Sequence, residues 1–300
     1  MKILVTGATG LVGKHLVPYL RTKNHEIFSL VRKSPSNEHE IQWDAERGFS
    51  ESELERLEGF DSIVHLAGAG VAEKRWTKER KRLIEESRTV GTRILVEALA
   101  QLRNKPKSFV CASAIGYYGN RGDEVLTENS LPADDFLGNV CVGWEREAQR
   151  AKTIGIPRVV NLRIGIVLSP EGGALKEMLT PFKMGVGGRV GKGTQFVSWI
   201  ELGDLVRAIE FAIETENLQD AVNATAPNPV RNLEFAESLG HVLNRPSLVP
   251  TPEFALRLMF GELADALLLS SARVVPKKLQ EHNFKFKFED INDALQHLLK

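Results

Sequence analysis

The chain has 300 residues, 39 of them basic and 39 acidic, for a formal net charge of zero. That balance argues against nucleic acid or an anionic membrane as partner, and no apolar run approaches the roughly 20 residues a membrane span needs. Apolar content of 42% and charged content of 26% suit a soluble chain with core enough for one large domain or two closely joined ones. Met1 runs directly into KILVTGATG, which reads as a buried strand and turn, so no leader peptide and a cytoplasmic setting are expected. Cys111 and Cys141 are the only cysteines, and no disulfide is needed. The seven histidines are scattered without zinc spacing, so no metal site is expected.

In chain order, β-branched runs at Lys2–Thr6, Glu26–Val31, Asp61–Ala67, Ser108–Ser113 and Arg158–Arg163 read as strands, nearly continuously apolar and so covered on both faces. Between the first two, Leu11, Val12, His15, Leu16, Tyr19 and Leu20 mark one face of a helix. A longer helix is predicted over about Thr77–Arg103, from the spacing of Leu83, Ile84, Val90, Ile94, Leu95, Ala98 and Leu99. This alternation predicts an α/β fold with a doubly wound parallel sheet and right-handed crossovers. After Arg163 glycine-rich turns interrupt the rhythm, with insertions at about 166–200. A helix at Gly203–Thr215 with Asp204 as its cap and a strand at Ala221–Thr225 follow. Residues 1–230 are read as a nucleotide-binding unit, and 231–300 as a smaller, mostly helical lobe over the carboxyl edge of the sheet.

TGATGLVG follows the first strand and opens the first helix, with Gly7, Gly10 and Gly13 in G-x-x-G-x-x-G spacing. Gly7 permits the tight turn, Gly10 lets the backbone approach a pyrophosphate, and Gly13 lets helix and strand pack closely. The helix N-terminus adds amide donors and a positive dipole end. Gly7, Thr9, Gly10, Leu11, Val12 and Gly13 are therefore candidate cofactor contacts. The second strand ends in Val31, Arg32 and Lys33 where a cofactor with a free ribose diol usually meets an acid. A guanidinium suits a 2′-phosphate, so NADP is expected rather than NAD, against the alternative of a solvated surface charge. Leu66, Ala67 and Gly68, at the end of another strand, are small or apolar enough for adenosine and ribose to lie against the backbone.

Together with RWT…ESRTVGT, SAIGYYG, DFLGNVCVGWE, LRIGIVLSPEGGAL, GGRVGKGTQFVSWIELGDL and VVPKKLQEHNFKFKF, these stretches make the whole chain resemble the extended and atypical short-chain dehydrogenase/reductases. More narrowly, it is similar to NAD(P)-binding epimerase family proteins with a short C-terminal domain of unknown function. The resemblance implies a Rossmann domain, bound NADP, and contacts from the glycine loop, Arg32, Leu66–Ala67, Arg88 and Arg163. Read from the residues alone, Arg88 either aims from its helix at a phosphate or carboxylate or pairs with a nearby glutamate. Arg163 ends an apolar strand and needs an anionic partner, for which a ligand is favoured over a protein group.

Working members of that superfamily carry a tyrosine and, four residues later, a lysine that lowers its pKa. Here Cys141 and Glu145 occupy those places, or Val140 and Trp144 in the adjacent register. Cys141 beside Glu145 is expected to stay a protonated thiol, and its bland alternative is a small buried hydrophobe. Ser113 fits the serine that orients a substrate oxygen. Tyr117 and Tyr118 are the candidate proton donors, or else aromatic walls of a pocket. The functional expectation is an NADP-dependent oxidoreductase or epimerase-like protein acting on a small polar substrate, with a homodimer possible. The alternative is an NADP-binding regulator or assembly factor.

Overall fold

The computed structural model describes all 300 residues. The apolar runs form the inner strands, each bounded where small or polar residues end the run. In chain order the elements are β1 (Lys2–Thr6), α1 (Leu11–Thr22), β2 (Glu26–Val31), β3 (Glu40–Gln42), α2 (Glu51–Glu55), β4 (Ser62–His65), α3 (Lys78–Ala100) and β5 (Ser108–Ala114). A 3-10 turn at Ile115–Tyr117 leads to β6 (Val125–Leu126), α4 (Phe136–Thr153), β7 (Arg158–Ile164), β8 (Ile166–Leu168), α5 (Gly173–Lys183), β9 (Phe196–Val197) and β10 (Trp199–Glu201). Then come α6 (Leu202–Glu214), β11 (Asp220–Ala224), β12 (Val230–Arg231), α7 (Asn232–Leu243), α8 (Glu253–Phe260), a π-turn at Ala264–Leu268, β13 (Arg273–Val274), α9 (Lys277–Glu281) and α10 (Ile291–Leu299).

Seven strands form one parallel sheet in the order β11-β7-β5-β4-β1-β2-β3. The chain runs outward from β1 to β3, then returns to place β4 on the other side of β1. The carboxyl ends of β1 and β4 therefore flank the topological switch point, the usual binding crevice of such a sheet. One core cluster, including Leu16, Leu20, Leu205 and Ile209, fills the face under α1 and α6. Another, including Leu95, Leu99, Trp144 and Ala148, fills the face under α3 and α4. The long-helix expectation is met within a few residues: Thr77 caps α3 by accepting from the Arg80 amide, which satisfies one orphan donor of the first turn.

Above the carboxyl edge, three short two-stranded pairs (β10 with β8, β12 with β9, β13 with β6) tie the later segments down. A third cluster joins α5, α7 and α10 around Trp199. Leu279 and Phe284 return instead to the cluster under α6. The predicted cap at Asp204 is corrected. Glu201 caps α6 by accepting from the Asp204 amide at 2.9 Å. Asp204 itself is buried, pairs with Arg207, and accepts from the amides of Lys287 and Phe288 at 3.0 Å. It pins the C-terminal segment because a buried carboxylate needs such donors. No helix is long and apolar enough to cross a membrane.

Candidate functional site

The first group of expected contacts gathers at the switch point. Gly7 has φ of 70°, and a Cβ there would lie 2.8 Å from the carbonyl carbon of Leu66. A Cβ on Gly13 would lie 2.3 Å from the Gly7 oxygen, so the β1–α1 turn closes only with hydrogen at both positions. Gly10 differs: its Cβ would meet nothing nearer than the Gly7 oxygen at 3.3 Å, leaving open space above the turn. Gly10 is the N-cap of α1, and no side chain caps the helix. Its first amides are thus free for an anion. Thr9 is exposed, and Leu11 and Val12 are half-buried beside it. This is a cradle that a diphosphate fits.

Neighbouring strands bring the rest alongside. Val31 ends β2, and Arg32 and Lys33 stand exposed after it, with no carboxylate in ion-pair range of Arg32. Leu66, Ala67 and Gly68 follow β4. Their backbone is held by Thr6, whose Oγ1 accepts from the amides of Leu66 and Ala67, both at 3.1 Å. The Thr6 hydroxyl then gives its hydrogen to His65 Nδ1 at 2.7 Å, leaving His65 Nε2–H to face Thr92 Oγ1 at 3.0 Å. Burial lowers the His65 pKa to about 3, so the ring is neutral and the chain of bonds is uncharged. Sequence reasoning did not pick out Thr6 or His65. A polar pair at the ends of two apolar strands was the available signal.

Arg88 reaches the same floor from α3. A Cβ on Gly68 would lie 3.2 Å from its Cζ. Its Nη1 donates to the carbonyl oxygens of Ala69 and Ile84, both at 3.0 Å, and its guanidinium lies 5.0 Å from the Trp144 ring centroid. It has no carboxylate partner, because the i,i+4 pair on this helix is Arg82 with Glu86. Burial lowers its pKa, the mark of a cation without a full anionic partner.

The second group lies at the carboxyl ends of β5 and β7. Arg163 is 3% exposed, and the anionic partner expected for it is a protein carboxylate rather than a ligand. Glu145 on α4 meets it as a two-pronged pair, Nε to Oε1 and Nη2 to Oε2, both 2.8 Å. Ser113 donates to the same Glu145 Oε1 at 2.7 Å. Arg163 Nη1 donates to the Tyr118 hydroxyl at 2.9 Å and to the Glu128 carbonyl oxygen at 3.2 Å. The Tyr118 hydroxyl donates to Asn223 Oδ1 at 2.6 Å, and Glu128 Oε1 accepts from the amides of Asn223 and Lys278, both at 3.1 Å. The negative charge of Glu145 is thus answered by Arg163, and the local pair is neutral.

Proton-transfer capacity follows from these partners. Tyr118 is fully buried, and burial raises its pKa to about 12 against the opposing pull of Arg163. It is a structural hinge of the network, not a group facing a substrate. Cys141 lines the cleft with its thiol 3.7 Å from the Ala114 oxygen, and burial, then Glu145, push its pKa up to about 12. Tyr117 is half-buried, with the Arg163 guanidinium 3.4 Å from its ring centroid. Between the two groups runs a cleft of about 200 Å³. Val71, Ile84, Leu137, Val140, Ile164 and Ile166 wall it, and Arg88 is its charged member. Such walls suit a ligand with an apolar body.

Comparison with known proteins agrees with this geometry. Residues 3–224 match the NAD dependent epimerase/dehydratase family, and residues 251–298 match a domain of unknown function, DUF1731. The epimerase family protein Mb2239 of Mycobacterium bovis is 40% identical over 98% of this chain and 96% of its own. The epimerase family protein YfhF of Bacillus subtilis is 36% identical over 100% of this chain and 98% of its own. The human epimerase family protein SDR39U1, crystallised with NADPH, superposes with a TM-score of 0.89 at 30% identity over 99% of each chain. The chain therefore belongs to the NAD dependent epimerase/dehydratase family and carries that family's nucleotide-binding turn on a Rossmann-like seven-stranded sheet.

Proposed function

We propose that the protein binds NADPH across the switch point and reduces a carbonyl compound held in the apolar cleft. One observation carries this reading: Arg32 and Arg88, on either side of an uncapped phosphate turn, lack protein carboxylates, while Arg163, deeper in the site, has one. Two guanidiniums without carboxylate partners, beside free helix amides, suit a ligand with phosphates at more than one place. Arg32, past the end of β2, would take the 2′-phosphate. The human relative crystallised with NADPH supports the same choice. The bound dinucleotide would supply the hydride.

The chain's own residues would orient the carbonyl and handle the proton. Ser113 is buried and gives its hydrogen to Glu145, so it has no hydrogen to offer a substrate oxygen. Tyr118 is buried with its hydrogen given to Asn223, and the Cys141 thiol, its pKa pushed up to about 12, is too weak an acid to give up its proton readily. Tyr117 remains as the proton donor, its ring fixed by Arg163. A second reading, an NADPH-binding regulator, is favoured by the closed Glu145–Arg163–Ser113 network, which leaves no dyad. Absorbance loss of NADPH over a carbonyl panel separates the two. Turnover that disappears in Tyr117→Phe supports the reductase, and tight binding without turnover supports the regulator. Arg32→Ala should weaken NADPH binding by roughly 10- to 100-fold, the worth of a charge-assisted bond, with little change for NADH. Equal losses for both cofactors would overturn the NADPH assignment.

A further inference from the structure

We propose that His25, Glu210 and Glu214 form a binding site for a divalent transition-metal ion such as Zn²⁺, at the amino edge of the sheet, opposite the cofactor cleft. The spacing of histidines and cysteines gave no such signal, because the three residues come from distant parts of the chain. Folding brings them together in two steps. Helix α1 ends in a turn in which the His25 amide donates to the Leu20 oxygen and the Asn24 amide to the Arg21 oxygen, with Asn24 left-handed at φ of 61°. This is the six-to-one and five-to-two pattern that stops a helix, and it sets His25 immediately before β2. On α6, Glu210 and Glu214 lie one turn apart, on the same face, and α6 packs beside α1 over the shared core.

One nitrogen and two carboxylate oxygens from these residues all lie within 4.8 Å of one another. The independent sign of a ligand is the imidazole. Its side chain is only 9% exposed, and Nε2 is 3.8 Å from Glu214 Oε1, too far for a hydrogen bond. Nε2 is buried and has no partner, a costly state for a ring nitrogen. Glu210 is oriented by Tyr19, whose hydroxyl donates to Oε2 at 2.5 Å and leaves Oε1 outside that bond. Through that bond Tyr19 acts as the outer partner that fixes a ligating carboxylate.

Two cations stand nearby. Lys23 Nζ is 3.7 Å from Glu210 Oε1, and the Met1 ammonium is 3.4 Å from His25 Nδ1. Both groups are at the surface and can turn into solvent when a doubly charged ion enters. Metal–donor distances of about 2.0–2.2 Å then require only that the exposed Glu214 side chain swing inward. One imidazole with two carboxylates suits Zn²⁺ or Co²⁺, with water completing the set.

The test uses the full chain, stripped with chelator and titrated with CoCl₂ or ZnCl₂ by calorimetry and thermal melting. One equivalent should bind, raise the melting temperature by a few degrees, and with Co²⁺ give visible bands of a tetrahedral ion. His25→Gln and Glu214→Gln should each weaken binding by at least about 100-fold, and Tyr19→Phe by about 10-fold. Lys23→Ala should tighten it, and Glu216→Gln should leave it unchanged. Because Glu214 is surface-exposed, its variant keeps the fold even if His25→Gln does not. Absence of saturation with either ion, or binding indifferent to both His25→Gln and Glu214→Gln, overturns the site and leaves an ordinary His25–Glu214 ion pair.

Discussion

Removing one member of the Glu145–Arg163 pair should destabilise the protein far more than removing both. In Arg163→Met the Glu145 carboxylate, whose side chain is 12% exposed, keeps only the Ser113 hydroxyl. Two charge-assisted bonds of 2.8 Å are lost, and the carboxylate remains desolvated against the cleft wall. Breaking a buried pair this way costs about 3–5 kcal/mol. Glu145→Gln leaves the guanidinium, 3% exposed, in the mirror predicament and should cost a similar amount. The double variant Glu145→Gln/Arg163→Met removes both charges at nearly constant volume and keeps an acceptor for the Ser113 hydroxyl. It forfeits the bonds from Nη1 to Tyr118 and Glu128, worth about 1 kcal/mol each, but strands neither charge of the pair. It should therefore sit within about 2 kcal/mol of the parent. For a chain of this size roughly 2 °C of melting temperature corresponds to 1 kcal/mol. The singles should melt about 6–10 °C lower and the double about 4 °C lower. Urea unfolding gives the same cycle as a coupling energy. Additive losses, with the double as unstable as the two singles combined, would refute the account of Arg163 as a charge held by Glu145.

Acid should find His65 first. Its pKa falls from an unfolded value near 6.5 to about 3, so the unfolded chain binds the extra proton across that window. Stability from its neutral burial is complete above about pH 6.5 and declines toward pH 3, by about 3 kcal/mol at pH 4.5. His65→Asn should flatten the stability slope between pH 6.5 and 4.5, and an unchanged slope would clear His65 of the role. Gly10→Ala should melt within about 2 °C of the parent, since its Cβ meets only the Gly7 oxygen at 3.3 Å, yet lose NADPH affinity by calorimetry. Gly13→Ala should lose both, because its Cβ at 2.3 Å from that oxygen must open the turn itself. Asp204→Asn should lower stability by about 2–4 kcal/mol, with faster amide exchange at Lys287 and Phe288, whose amides it accepts.

The strands β1, β2, β5 and β7, helices α1 and α3, and the phosphate turn were all legible in the residues. Their determinants are local: apolar runs buried on two faces, helical periodicity, and glycines whose missing Cβ is demanded within a few residues, as at Gly7 and Gly13. Thr77 capping α3 belongs to the same class. Only the tertiary structure decided what the charged and polar residues do. Nothing in the spacing says that Arg163 closes on Glu145, that Asp204 holds Lys287 and Phe288, or that His25 meets Glu210 and Glu214. Pairs such as β6 with β13 are two residues long and carry no periodicity to read. A side chain's charge partner is set by which segments pack side by side, and a buried charge accepts whatever counter-charge that packing delivers. For this chain the local pattern determined the nucleotide-binding frame, and the packing of α4 against β5 and β7 decided that the Glu145 carboxylate would be neutralised by Arg163.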